Sequence, residues 1–171
     1  MPRKGFVVTS GFALNCNYFS KAFQPESRFR YLGDQRIGRR DTYVVAFAQK
    51  PGEATLFITM IEGAGAKVHM LVQGIAWVDK SNFEIIRMRT DLLAPRPEVR
   101  LERQTTEVNF SRVQLLDVAT PLWLPSEVKV YLGFKELDSI HGRFFEMGYQ
   151  NKHHYADYRR YRVSVKMKAP E

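Results

Sequence analysis

The chain has 171 residues, 44% hydrophobic and 26% charged, a balance typical of one folded domain and not of a disordered chain. The 26 basic and 18 acidic residues give a net charge of +8, which favours anionic partners without naming one. No run approaches the roughly 18 apolar residues of a membrane-spanning helix.

The first part of the chain predicts an irregular start followed by β-strands. Residues 1–24 show no clear helix and are expected to form an irregular or truncated N-terminal segment. A single antiparallel β-domain is predicted over residues 25–168, because short alternating segments rich in β-branched and aromatic residues recur there. Its first two strands are expected over 27–33 and 42–51, on either side of a polar turn over 33–41.

Two hairpins are predicted in the middle of the chain. The first joins strands over 54–61 and 67–78 through the glycine-containing stretch 62–65. The second has its polar turn over 79–82, and a change of phase between Ile85 and Ile86 predicts a β-bulge. Pro95 and Pro97 predict a loop after it, because each disfavours helix at the preceding residue.

The last third of the sequence predicts further strands, for a total of about nine with little helix. Alternation indicates strands within 99–116, over 128–132 and over 160–167. In the final strand, Tyr161, Val163 and Val165 should face the packed side, and Arg160 and Arg162 the solvent. Residues 137–145 carry a weak helical pattern, which Gly142 disfavours.

The sequence shows no catalytic constellation. It contains no Gly-x-Ser-x-Gly elbow and no glycine-rich phosphate loop, and Cys16, the only cysteine, has no histidine near it in sequence. His153, His154 and Asp157 resemble metal ligands, but adjacent strand residues point to opposite faces. We therefore expect a non-enzymatic protein with no cofactor and no metal.

Four stretches, taken in order, resemble the outer-membrane lipoprotein carrier and sorting superfamily, and the nearest likeness is to uncharacterised exported proteins of acidobacterial type. The stretches run between Arg28 and Val163. Their motifs are a Gly-Arg pair followed by a tyrosine, a Trp-Val-Asp-Lys hairpin and a Leu-Pro pair before a later strand. In this chain the motifs are Gly38-Arg39 with Tyr43, Trp77-Val78-Asp79-Lys80, and Leu124-Pro125.

The resemblance implies a half-barrel, a strongly curved antiparallel sheet whose concave apolar face receives a lipid, an acyl chain or a lipoprotein. It also implies a periplasmic protein with an export signal and an N-terminal helical lid, neither of which is recognisable in residues 1–24. The candidate ligand-binding residues are Tyr43, Val45, Phe47, Trp77, Phe83, Ile85, Val128 and Val130.

A second class of function stays open, an interaction or sensory module that has no ligand cavity. Its basic side chains would contact an anionic membrane surface or an acidic partner. The candidate residues are Arg159, Arg160 and Arg162. Nearby tyrosines could stack on bases, but no RNA-recognition motif or recognition helix accompanies them, which argues against nucleic acid.

Overall fold

A computed structural model describes residues 11–61 and 67–159. The strands are β1 (Ser27–Ile37), β2 (Arg40–Gln49), β3 (Ile58–Ile61), β4 (Lys67–Met70), β5 (Val72–Asp79), β6 (Ile85–Leu92), β7 (Leu101–Val113), β8 (Leu122–Asp138) and β9 (Arg143–His154). Short 3₁₀ helices are formed by Phe12–Phe19, Gln24–Glu26 and Pro97–Val99. We call Phe12–Phe19 the 3₁₀ segment.

The prediction of a mostly β, antiparallel fold is confirmed. Seven strands form one open sheet in the order β1-β2-β5-β6-β7-β8-β9, and β3 and β4 form a separate hairpin. Every pair of neighbouring strands is antiparallel. Among the described strands, β1 and β9 are the two edges of the large sheet.

One face of this sheet, which we call the apolar face, provides most of the core. Cross-strand partners share a face, and the register places Val45, Ala76, Met88, Val108 and Val128 in one row across β2, β5, β6, β7 and β8. The last four of these side chains are fully buried. The alternating side chains on these strands form the other, polar face, where Arg30, Arg89, Glu107 and Lys129 occupy the neighbouring row.

The predicted bulge is confirmed, because Val78 pairs with Ile85 and Trp77 with Arg87, which leaves Ile86 as the extra residue. The first hairpin is confirmed as β3 and β4, although its strand over 67–78 breaks at Leu71, where the chain passes into the large sheet. The final predicted strand, over 160–167, lies outside the described residues.

One local prediction was wrong. The turn over 33–41 is much shorter, since β1 continues to Ile37 past a bulge at Leu32 and reverses at Gly38, whose φ is +59°. Residues 137–145, whose weak helical pattern is disfavoured by Gly142, form the end of β8, a turn and the start of β9. Gly142, with φ at +63°, supplies the left-handed conformation that this turn requires.

A buried carboxylate ties the β1–β2 turn to the β5–β6 turn. One oxygen of Asp79 accepts hydrogen bonds from the backbone N–H and the hydroxyl of Ser81, at 2.8 and 2.6 Å. The other oxygen pairs with the Arg40 guanidinium. The Ser81 hydrogen bonds, and then Arg40, hold the pKa of the Asp79 carboxyl below its ordinary value.

Asp79→Asn is expected to lower the free energy of unfolding by about 2 kcal/mol at neutral pH, because a buried, charge-assisted network loses its negative charge and one of its two acceptor oxygens. A lowered folded pKa stabilises the protein above the unfolded pKa of about 4, and this contribution is lost as pH falls through the folded pKa. Urea melts should therefore show that the difference in the free energy of unfolding between Asp79→Asn and the unaltered chain is smaller at acidic than at neutral pH.

Asp34→Asn is the matched control, since Asp34 is exposed and pairs with Lys80 on the surface. Its effect should be much smaller, because solvent screens an exposed pair. Equal losses in the two variants would contradict the structural role of Asp79.

Candidate ligand-binding face

Most of the candidate ligand-binding residues lie together on the apolar face. The register connects Tyr43 to Val78 and Ile85, and Val45 through Ala76, Met88 and Val108 to Val128, while Phe47 and Val130 lie in the next row. Phe47, Val128 and Val130 are buried, whereas Tyr43, Val45 and Ile85 are partly buried. The structure therefore places these six side chains on one face of the sheet.

Trp77 is not part of this group. It lies between Ala76 and Val78 on β5 and so faces the polar side, in register with Val44 and Arg87. The guanidinium carbon of Arg87 is 5.0 Å from its ring centre, and its indole nitrogen donates to the Gln35 side-chain oxygen at 2.7 Å. The sequence could not assign this parity, because both flanking residues are apolar as well.

Phe83 lies in the β5–β6 turn at the rim of the apolar face. Its side chain is 72% exposed, and its φ of +60° is a strained backbone conformation for a phenylalanine. Its ring centre is 6.4 Å from that of Tyr43, which is 6.1 Å from that of Tyr31. These three rings form an aromatic row in which the partly buried Tyr43 lies between the exposed rings of Tyr31 and Phe83.

The 3₁₀ segment covers the apolar face. Tyr18 and Phe19 place their ring centres 5.3 and 5.2 Å from that of Phe47, and Phe19 also contacts Phe29 at 5.1 Å. At the other end of the segment, the ring of Phe12 lies 5.1 Å from that of His153 on β9. The segment therefore contacts both edge strands of the sheet and, through Phe47, the neighbouring strand β2.

Close packing of Phe47 against β5 depends on a glycine. A Cβ atom built on Gly74 would lie 2.9 Å from the Cε1 atom of Phe47 and 2.2 Å from the carbonyl oxygen of Arg89. Neither the ring nor the neighbouring backbone has room for it. The absence of a side chain at Gly74 thus lets the aromatic layer beneath the 3₁₀ segment lie flat on the sheet.

Cys16 belongs to the 3₁₀ segment and packs against the core. Burial, together with the nearby Glu84 carboxylate, raises the pKa of its thiol to about 11. Burial also raises the pKa of the Tyr18 hydroxyl to about 12. A thiol in such surroundings is almost entirely protonated at neutral pH and is a poor nucleophile.

The two histidines near the C-terminal end of β9 lie on opposite faces, as strand geometry predicts. His153 is in register with Val128 on the apolar face, whereas His154 is in register with Glu127 on the polar face. The Nδ1 atom of His154 lies 3.8 Å from the Glu127 carboxylate. In the described part of the chain, no three His, Cys, Asp or Glu side chains come close enough to hold a metal ion.

The candidate anionic-surface residues are only partly described. Arg159 is exposed, and Arg160 and Arg162 lie outside the described residues.

The described surface has two hollows that are open to solvent, with volumes of about 460 and 610 Å³. The first lies over the polar side of β1, β2 and β5, and the second lies at the β7–β8 loop. The first is lined by Arg28 and Arg30 over a floor that includes Ala46 and Ala48.

Comparisons with known proteins found no match, whether to family models, to curated proteins or to solved structures. The likeness to the carrier and sorting superfamily thus depends on the sequence motifs. No helix within residues 11–61 and 67–159 is both long and apolar enough to cross a membrane.

Proposed function

We propose that this protein is a non-enzymatic binding protein of the carrier and sorting type, which holds a lipid, an acyl chain or the acyl part of a lipoprotein on its apolar face. The observation that carries the proposal is the 3₁₀ segment, whose aromatic rings lie on that face in the place that a hydrocarbon chain would occupy. The export route and periplasmic location implied by the resemblance belong to the same proposal.

Two sets of contacts support a strongly curved, half-barrel sheet. In a flat sheet β1 and β9 would be about 29 Å apart, whereas an eight-residue 3₁₀ helix is only about 16 Å long. Yet Phe19 contacts Phe29 on β1, and Phe12 contacts His153 on β9. Similarly, Arg40 on β2 lies 4.9 Å from the ring centre of Trp123 on β8, four strands away.

The 3₁₀ segment is suited to being displaced. Its eight residues exceed the usual length of a 3₁₀ helix, in which hydrogen-bond geometry is poor. No side chain among the described residues caps its N-terminus, and the preceding residue is Gly11, which has a φ of +79° and, without a Cβ atom, adopts other backbone conformations at little cost. Its position therefore depends mainly on burial of Phe12, Tyr18 and Phe19, and a bound acyl chain can replace those contacts.

Titration of the full chain with a fluorescent fatty-acid probe tests the proposal. We expect saturable binding that an unlabelled long-chain fatty acid reverses. Phe19→Ala should tighten binding about tenfold, because truncating a ring that contacts Phe29 and Phe47 makes displacement of the segment easier. A ligand that packed on top of a fixed segment would instead bind more weakly to this variant.

Phe57→Ala is the control, because the partly exposed Phe57 ring contacts His69 on the β3–β4 hairpin and makes no ring contact with the 3₁₀ segment. Its probe affinity should equal that of the unaltered chain. Failure of the folded protein to bind any probe saturably would reject the proposed function.

A further inference from the structure

β8 and β9 continue beyond the rest of the sheet as a two-stranded ribbon. The β7–β8 ladder ends where Leu101 pairs with Phe134, apart from one further hydrogen bond of 2.8 Å from the Lys135 N–H to the Arg100 carbonyl. We call residues 136–145 the arm. Within the described residues the arm strands pair only with each other, and the Gly142 N–H closes the turn on the Asp138 carbonyl at 2.8 Å.

The arm exposes large apolar side chains on both faces and at its tip. Ile140, in the turn, is 86% exposed, and Phe144 is 64% exposed. Leu137 is directly opposite Phe144 and shares its face, whereas Phe145 is opposite Glu136 on the other face. A two-stranded ribbon has no interior in which to bury these side chains, and exposed apolar clusters of this kind mark interaction surfaces.

The charges around these side chains favour an anionic partner. Lys135 and Arg143 are exposed and form no ion pair with any described residue; the Lys135 ammonium lies 5.0 Å from the Phe144 ring centre. Arg100 and Arg103 neutralise the acidic residues at the base, Glu136 and Glu146.

The acidic residue nearest the tip, Asp138, also has partners within the turn. The Asp138 carboxylate accepts a hydrogen bond from the Ile140 N–H at 2.9 Å and contacts the His141 ring at 2.6 Å. Arg143 near the tip and Lys135 at the base of the arm are therefore two cations without an ion-pair partner among the described residues, beside the exposed apolar side chains of a chain whose net charge is +8.

We propose that the arm inserts its tip into the interface of an anionic lipid bilayer. Ile140 enters first, Leu137, Phe144 and Phe145 reach the acyl boundary, and the ammonium and guanidinium of Lys135 and Arg143 meet lipid phosphates. A bilayer surrounds both faces of a ribbon, whereas a protein groove that packs on one face would leave the other apolar face in water.

This membrane contact goes beyond ligand binding on the apolar face and does not depend on it, because the arm and the 3₁₀ segment share no residue. The two proposals therefore fail separately: the fatty-acid titration tests the face, and vesicle binding by the arm variants tests the arm.

Co-sedimentation of the full chain with vesicles tests the arm. Vesicles of phosphatidylcholine and phosphatidylglycerol in equal parts should bind the protein, and phosphatidylcholine alone should bind it far more weakly. The double variant Ile140→Ser with Phe144→Ser should lower the partition coefficient about a hundredfold, since two inserted apolar side chains are lost. Both residues are exposed, so the urea midpoint should not change.

Leu116→Ser is the matched control. Leu116 is as exposed as Ile140, at 86%, but lies in the loop before β8, at the opposite end of that strand. Its vesicle binding should equal that of the unaltered chain. Equal binding by the double variant, or equal binding to neutral vesicles, would overturn the proposal. The proposal would also be overturned if the unaltered chain and Leu116→Ser formed a concentration-dependent dimer and the double variant did not, because the arm would then be a self-association surface.

Discussion

Val108→Asp is expected to abolish cooperative folding. Val108 is completely buried at the centre of the apolar face, in register with Met88 and Val128. Losing the buried valine costs about 1.5–3 kcal/mol, and a carboxyl group in an apolar environment costs several more. The sum is comparable to the entire stability of a typical domain, about 5–15 kcal/mol. Urea melts followed by tryptophan fluorescence should show no folded baseline.

Asn109→Asp introduces the same carboxylate one residue further along β7, on the polar face between Arg87 and Glu127. It should change the free energy of unfolding by no more than about 1 kcal/mol. The contrast checks the face assignment directly. If the two variants melt alike, the row from Val45 to Val128 is not the core.

The fold class followed from the sequence because strand geometry fixes the pattern of side chains. Period-two alternation identified most of the sheet, and the adjacent Ile85 and Ile86 located the bulge on β6. Tyr43, Val45 and Phe47 were grouped correctly for the same reason, since residues two apart on a strand share a face.

The remaining features depend on tertiary contacts or on turn chemistry that alternation does not encode. The stretch from Arg143 to His154 has a weak apolar pattern, because β9 is an edge strand with many exposed side chains. In the sequence, Gly142 only disfavours the weak helical pattern of residues 137–145, whereas in the structure its left-handed conformation enables the β8–β9 turn. The 3₁₀ segment gave no helical signal, because it has no capping side chain and its conformation depends on packing against Phe47.

The same limits explain the candidate site. A sequence can group side chains by parity, but it cannot say which parity faces the core when both are apolar, as in the stretch from Ile75 to Val78. It also cannot reveal that another part of the chain covers the selected face. Under the proposed function, a hydrocarbon chain must therefore compete with the 3₁₀ segment for the apolar face.

Cys16 should report this competition, and its reaction with a thiol-specific disulfide reagent is expected to accelerate about a hundredfold when a fatty acid saturates the protein. In the closed protein, burial and then the Glu84 carboxylate hold the thiol pKa at about 11. A displaced segment returns the pKa toward about 8.5, which raises the thiolate fraction at mildly alkaline pH by that factor. Because Cys16 is the only cysteine, the signal has one source.

Glu84→Gln separates the two causes of the slow reaction. It removes only the smaller electrostatic effect on Cys16, so the ligand-free variant should react slightly faster than the unaltered chain and far more slowly than the ligand-saturated one. Saturable probe binding with an unchanged Cys16 rate would mean that the ligand binds without moving the 3₁₀ segment. The proposed displacement of the 3₁₀ segment would then be wrong, although the proposed ligand binding would be correct. The aromatic row of Tyr31, Tyr43 and Phe83 would be the next surface to test.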